Sequence, residues 1–248
     1  ADNGSKRLPD YDYEYPPGTD NVSGRVFKVQ FDGTEVAELP FPSSVEYKKG
    51  RYSPTSIAID EHRFGGQGNI WVSDGYGASL VHRFDASGNH NMTIDGTKGA
   101  GRFDCPHGII IDRRHDTPEL YVADRGNAQI QVFDLEGHYL GSFGKDFLSS
   151  PSGFAQLGEY MVISELKSRL TLVDTNNGFA GYVFPGDSHI QTAGWPNEII
   201  DGQEIIRPSK LNKEEFNSPH GLTADKDGNL YIAEWLIGGR ITKLKLMG

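Results

Sequence analysis

Short apolar runs rich in valine and isoleucine, each closed by a glycine, asparagine or aspartate turn, recur along the chain, and no stretch carries the spacing of an amphipathic helix. The pattern predicts strands throughout. It is sharpest at Ile109-Ile110-Ile111, Leu120 to Ala123, Ile130 to Phe133 and Tyr139 to Phe143, with turns near Asp116, Gly126-Asn127 and Glu136-Gly137. Continuous β-branched runs suit inner strands covered on both faces, where each buried Val or Ile contributes about 1.5–3 kcal/mol.

The strands come in a repeated module. Each copy opens on a proline-centred triplet and carries a second strand that ends in an acid. The copies run from Pro54-Thr55-Ser56 to Asp74, from Pro106-His107-Gly108 to Asp124, from Pro151-Ser152-Gly153 to Glu165, and from Pro219-His220-Gly221 to Glu234. Their starts lie about 45 to 70 residues apart, in the range of solenoids and propellers. Four-stranded sheets repeated radially make a β-propeller, so the expected fold is all-β, with five or six blades of antiparallel strands. Four modules are plain, the hairpin Val26 to Phe31 with Val36 to Leu39 suggests a fifth, and residues 187 to 214 could hold a degenerate piece. Strands from the two chain ends are expected to close the ring and protect its edges. The expected domains are a tail over residues 1–22, where Tyr11, Tyr13 and Tyr15 alternate, and one propeller over 23–248.

Composition narrows the partners. A net charge of −10 disfavours nucleic acid and anionic membrane, which need basic surface. No apolar stretch approaches the roughly 20 residues that span a bilayer. Cys105 stands alone, so no intramolecular disulfide forms, and its thiol reads as a small buried apolar group. Sequons at Asn3, Asn21 and Asn91, and a first residue that is not methionine, lean towards a secreted or periplasmic, glycosylated protein.

The chemistry gathers at the module ends. His107 and His220 open innermost strands and are expected to face the central channel, where paired imidazoles could hold one metal ion or simply tie their own turns. Asp74, Asp124, Glu165 and Glu234 could ring one face as a cation-attracting mouth, or accept hydrogen bonds from neighbouring backbone N–H groups. Tyr76, Arg125, Lys167 and Trp235 follow those acids and are candidate mouth residues; a phenol can serve as acid or base, and a guanidinium binds carboxylate. Asp225-Lys226-Asp227-Gly228-Asn229 reads as a strand turn rather than a calcium loop, because the later bidentate glutamate is missing. No phosphate loop, serine elbow or Cys-x-x-Cys pair is present.

Val72-Ser73-Asp74-Gly75-Tyr76, Pro106-His107-Gly108, Val122-Ala123-Asp124-Arg125 with Gly126-Asn127, and Pro219-His220-Gly221 resemble the NHL-repeat propellers. In the same order they are similar to the catalytic core of peptidyl-α-hydroxyglycine α-amidating lyase, over roughly residues 51 to 145 and 216 to 246. That resemblance implies zinc held by His107 and His220, Tyr76 as the catalytic tyrosine, Arg125 as an active-site arginine, and cleavage to an amide and glyoxylate. The family's first zinc histidine lies in an earlier blade with no visible counterpart here, so the third ligand would be His189, Glu165 or water, and Ser218 and Gly77 replace a family methionine and cysteine. The expected function is an exported propeller whose channel takes a small polar or carboxylate ligand, with metal-dependent lyase chemistry. The alternatives are a non-catalytic module that binds a protein on one face, and a calcium-dependent lactonase-like hydrolase.

Overall fold

The computed structural model describes residues 1–4, 22–48, 51–184, 193–202 and 204–245. Nineteen strands and no α-helix occur among them, so the all-β expectation holds. The expected tail falls almost wholly outside the described residues, although Asp2 makes an isolated antiparallel bridge with Arg25. A short hairpin, β1 (Phe27–Val29) with β2 (Glu35–Glu38), turns at the expected aspartate, whose Oδ1 accepts the Thr34 N–H at 2.9 Å.

Three four-stranded antiparallel meanders follow: β3 (Ser56–Ile59) to β6 (His90–Ile94) through β4 (Ile70–Asp74) and β5 (Leu80–Phe84); β7 (Pro106–Asp112) to β10 (Tyr139–Phe143) through β8 (Glu119–Asp124) and β9 (Gln129–Phe133); and β11 (Pro151–Leu157) to β14 (Phe179–Val183) through β12 (Tyr160–Glu165) and β13 (Arg169–Val173). After a hairpin of β15 (Glu198–Ile200) and β16 (Glu204–Ile206), a fourth sheet joins β17 (Pro219–Ala224), β18 (Leu230–Glu234) and β19 (Arg240–Leu244). These are the blades of a β-propeller, and the described residues form four of them, not five or six. The N-terminal and 198–206 hairpins fall short because their three- and four-residue strands pair only with each other and bury no residue fully. Among the described residues the fourth sheet has three strands, and the expected closure by strands from the chain ends falls largely on residues outside them.

Packing divides the chain into two compact units. The first holds β1 to β6 and most of the second blade; its core joins Trp71, Val81, Ile109, Leu120, Val122 and Phe133, all at most 5% exposed. The second unit holds the last two blades around Val162, Leu170, Phe216 and Ile232, at most 1% exposed.

The acid that ends each second strand ties its blade together, and this is not the solvent-facing ring of carboxylates. All four are buried. Asp74 accepts Ser53 N–H and Ala78 N–H, each at 2.6 Å. Asp124 accepts Asp104 N–H at 2.8 Å and the side-chain amides of Asn127 and Gln131. Glu165 accepts Ser149 and Ser150 N–H at 2.5 and 3.1 Å, and Glu234 accepts Asn217 and Ser218 N–H at 2.5 and 3.2 Å. In every blade the captured donor lies one or two residues before the opening proline, so the carboxylate pins the segment that enters the first strand to the end of the second. The donors precede the blade as well as follow the acid, which widens the expected capture by the next turn.

A second set of bonds stitches blade to blade. The carbonyl of His107 accepts Ser73 Oγ–H at 2.7 Å and Thr55 Oγ1–H at 2.9 Å, and the carbonyl of His220 accepts Ser164 Oγ–H at 2.8 Å. Ser79 Oγ accepts Cys105 N–H at 3.2 Å, and Ser168 Oγ donates to the Asn217 carbonyl at 2.7 Å. Both serines sit in the left-handed region, at φ 56° and 69°, which costs an L-residue about 1–2 kcal/mol. Cys105 is half-buried rather than buried, at φ 53°. The Asp225 segment is the expected turn, its Oδ1 accepting Asp227 and Asn229 N–H at 3.0 and 2.9 Å.

Burial pushes the Glu165 carboxyl up, but bonds from Arg169, Thr171 and Ser149 together hold it below the usual glutamate value. A carboxylate lowered in the folded state stabilises the fold above the ordinary glutamate range, and that stabilisation is lost as pH falls through the range to the lowered value. Glu165→Gln is therefore expected to cost at least about 2 kcal/mol at neutral pH in urea unfolding, and to flatten the acid limb of the stability profile.

Candidate functional site

Tyr76, His107 and Arg125 meet within the first unit. The Tyr76 hydroxyl lies 3.1 Å from His107 Nε2, and Arg125 Nη1–H donates to that hydroxyl at 3.2 Å. The rings of Tyr76 and His107 stand edge to face, centroids 5.3 Å apart, with Arg125 Cζ 5.8 Å from the phenol centroid. A phenolic oxygen has one proton. It accepts from the guanidinium and shares a further hydrogen bond with His107 Nε2, in which the imidazole tautomer sets which group donates. His107 is 4% exposed, whereas Tyr76 and Arg125 are half-buried, so the group is open from the tyrosine side.

The placement follows from the blade ties. Tyr76 lies two residues after Asp74 and Arg125 one after Asp124, so each leaves a strand end fixed by a buried carboxylate. Tyr76 N–H then bonds Ser53 O at 3.3 Å, and Arg125 N–H bonds Cys105 O at 3.3 Å. His107 arrives through its stitched carbonyl. The approach is close enough that a Cβ on Gly75 would fall 2.6 Å from the Pro106 carbonyl oxygen.

Behind Tyr76 lies a polar network that the sequence did not reveal. Tyr47 O–H donates to Asp74 Oδ2 at 2.6 Å and lies 2.7 Å from His82 Nε2, and His82 Nδ1 lies 2.9 Å from Thr93 Oγ1. Burial holds His82 neutral, with its pKa down at about 3, and raises Asp74 despite its bonds from Tyr47, Ala78 and Ser53. Position 77, where the family carries a cysteine, has no room for one: a Cβ there would fall 2.2 Å from Asp74 Oδ1 and 2.4 Å from the Arg51 carbonyl oxygen.

His220 belongs to the second unit, where its ring lies 6.5 Å from that of Trp235. Lys167 is fixed through its backbone N–H on Ser150 Oγ at 2.9 Å. His189 lies outside the described residues. Among the described residues no three His, Cys, Asp or Glu converge on a metal position. Asp74, Asp124, Glu165 and Glu234 are each engaged by several donors, so their chemistry is that of hydrogen-bond acceptors at strand ends. No helix among the described residues is long and apolar enough to cross a membrane. Of the sequons, Asn91 is exposed on β6, and Asn21 lies outside the described residues.

The assignment of the bridging proton is testable in the folded protein. Tyr76→Phe is expected to shift the nitrogen-15 resonance of His107 Nε2 while leaving the fold intact; an unchanged Nε2 resonance would contradict the bridge, and the tautomer in the parent tells whether the phenol or the imidazole donates in it.

No family model matches the chain. Among curated proteins it is 27% identical over 186 residues to peptidyl-glycine alpha-amidating monooxygenase A of Xenopus laevis, covering 73% of this chain and 18% of that protein. It is 35% identical over 177 residues to NHL repeat-containing protein 3 of Homo sapiens, covering 67% and 44%. The matched region therefore spans less than half the length of either relative. Among solved structures, a streptogramin B lyase superposes with TM-score 0.57 at 16% identity, covering 91% of this chain and 74% of that one. Virginiamycin B lyase from Staphylococcus aureus gives 0.54 at 14% identity, covering 93% and 66%. At such identities the two structures speak for the fold alone. Blade topology, the four modules in order and the NHL-named relative agree, and the chain belongs to the NHL-repeat β-propeller family.

Proposed function

We propose that the chain binds a small carboxylate-bearing ligand at Tyr76, His107 and Arg125 and acts on it as a lyase, breaking a C–N bond beside a hydroxyl to release an amide and glyoxylate. The observation that supports this reading is the hydrogen-bond series Arg125 to Tyr76 to His107. In the tautomer where Nε2 carries no proton, the phenol donates to the imidazole and can take a proton from a ligand hydroxyl as its own passes to His107 Nε2. The electron pair left on the ligand oxygen forms the new C=O bond, the C–N bond breaks, and the departing amide nitrogen recovers the proton from the imidazolium through Tyr76. Arg125 stabilises negative charge on the phenolic oxygen and attracts the carboxylate. Positioned acid–base groups of this kind contribute about 10²–10⁴-fold in rate.

The metal is a separate question. A catalytic zinc takes three protein ligands, and the described residues do not bring three together, so no step of this relay passes through a metal. On the family resemblance His107 and His220 would be the imidazole ligands, and zinc would supply a positive charge near the reacting hydroxyl. Stoichiometric zinc in the parent that disappears in a His107→Ala, His220→Ala double variant would replace the relay with metal-assisted chemistry. The relay itself expects turnover to survive chelation.

With a peptidyl-α-hydroxyglycine as substrate and glyoxylate release as readout, Tyr76→Phe is expected to lower kcat by about 100-fold or more. Arg125→Ala is expected to act mainly on KM. A parent chain that binds this compound without turning it over would leave a non-catalytic binding module as the function.

A further inference from the structure

The second unit carries a cavity of about 630 Å³, a size typical of small-molecule sites, between the 195–212 excursion and the fourth blade. Trp195 and Phe216 give it apolar surface, and Glu198, Lys210, Asn217 and Arg240 line the rest. Asn217 is 8% exposed, and its side-chain oxygen has no hydrogen-bond partner among the described residues. A buried acceptor left unmet costs about 1–3 kcal/mol.

This acceptor sits on a fixed backbone. Asn217 N–H donates to Glu234 Oε1 at 2.5 Å, and its carbonyl accepts Ser168 Oγ–H at 2.7 Å and Trp195 Nε1–H at 3.1 Å. Asn197 Oδ1 accepts Ile237 N–H at 2.7 Å and anchors the excursion to the same blade. The side chain therefore cannot relieve its oxygen by a backbone shift without breaking the tie of the fourth blade.

The remaining lining groups decide what would fit. Apart from the Lys210 ammonium, the donors are largely committed: Arg240 to Glu234 and to the carbonyls of Asn212 and Glu215, the Trp195 indole to Asn217, and Ser209 N–H to Glu198 at 2.8 Å. A peptide brings as many carbonyl acceptors as N–H donors and would find few donors to meet them. Glu198 and Glu215 balance Lys210 and Arg240, so the cavity favours no ion of either sign. A ligand with many hydroxyls supplies donors and tolerates scarce ones, and the face of a pyranose ring packs against an indole.

We infer that this cavity is a saccharide site, with Asn217 as its buried acceptor and Trp195 as its stacking platform. It is distinct from the Tyr76 group, and its test is independent of lyase activity. The full chain titrated by calorimetry with maltotriose, chitotriose and xylotriose is expected to bind at least one with Kd below about 1 mM. Asn217→Leu should weaken that binding by about tenfold or more, and Tyr76→Phe should leave it unchanged. In the unaltered protein the Trp195 indole N–H resonance is expected to move on saturation, which keeps the test open if Asn217→Leu does not fold. Absence of binding by all three sugars, tighter binding of triglycine, or binding that leaves the Trp195 resonance in place would overturn the proposal.

Discussion

A carboxylate removed from water and surrounded by backbone N–H groups is the constraint on which this fold turns. Taking such a charge into a protein costs several kcal/mol, and only multiple short hydrogen bonds offset it. Each blade meets that condition with the last residue of its second strand. Asp124 receives the Asp104 N–H and two side-chain amides, and Glu165 receives two N–H groups, two hydroxyls and an arginine. An amide in the same place would offer one acceptor oxygen and set an NH₂ against those donors. The acid therefore specifies where the chain must enter the first strand, and blade register follows.

The position of the polar group is a consequence. Tyr76 and Arg125 are the residues that leave the fixed strand ends, and His107 is drawn in by hydroxyls of the neighbouring blade. Groups held by elements this constrained meet at hydrogen-bonding distance without help from a ligand, which is what acid–base chemistry asks of a scaffold. The half-exposed side chains of Tyr76 and Arg125 leave the bridge within reach of a small molecule.

Much of the fold was legible in the sequence. Tyr139 to Phe143 is a strand with the expected bounds, and Ile109 to Ile111 lies within β7, because β-branched runs closed by Asp and Gly turns admit few other structures. Blade number was not legible: the apolar residues of the two lone hairpins look like those of a blade, and only pairing separates them. The acids were legible as a series but not as internal acceptors, since a sequence shows a charge and not its burial. Tyr76 and Arg125 could be read as neighbours from their places after the strand-end acids, but their direct contact with His107 was suggested only by the family resemblance, as the three lie far apart along the chain. Asn217 carries no motif at all; its interest comes from a missing partner, which no pattern of residue types records.

The serine stitches are not distributed evenly. Ser73 and Ser79 in the first blade and Ser164 and Ser168 in the third reach forward, and in two of these cases the acceptor is the carbonyl of a Pro-His-Gly histidine. The corresponding residues of the second and fourth blades are Ala123 with Ala128 and Ala233 with Gly239, which carry no hydroxyl. The modules thus alternate between a sending and a receiving type. In terms of hydrogen bonds the unit of this chain is accordingly a cassette of two blades, since moving a single blade would leave a serine and a histidine carbonyl without their counterparts.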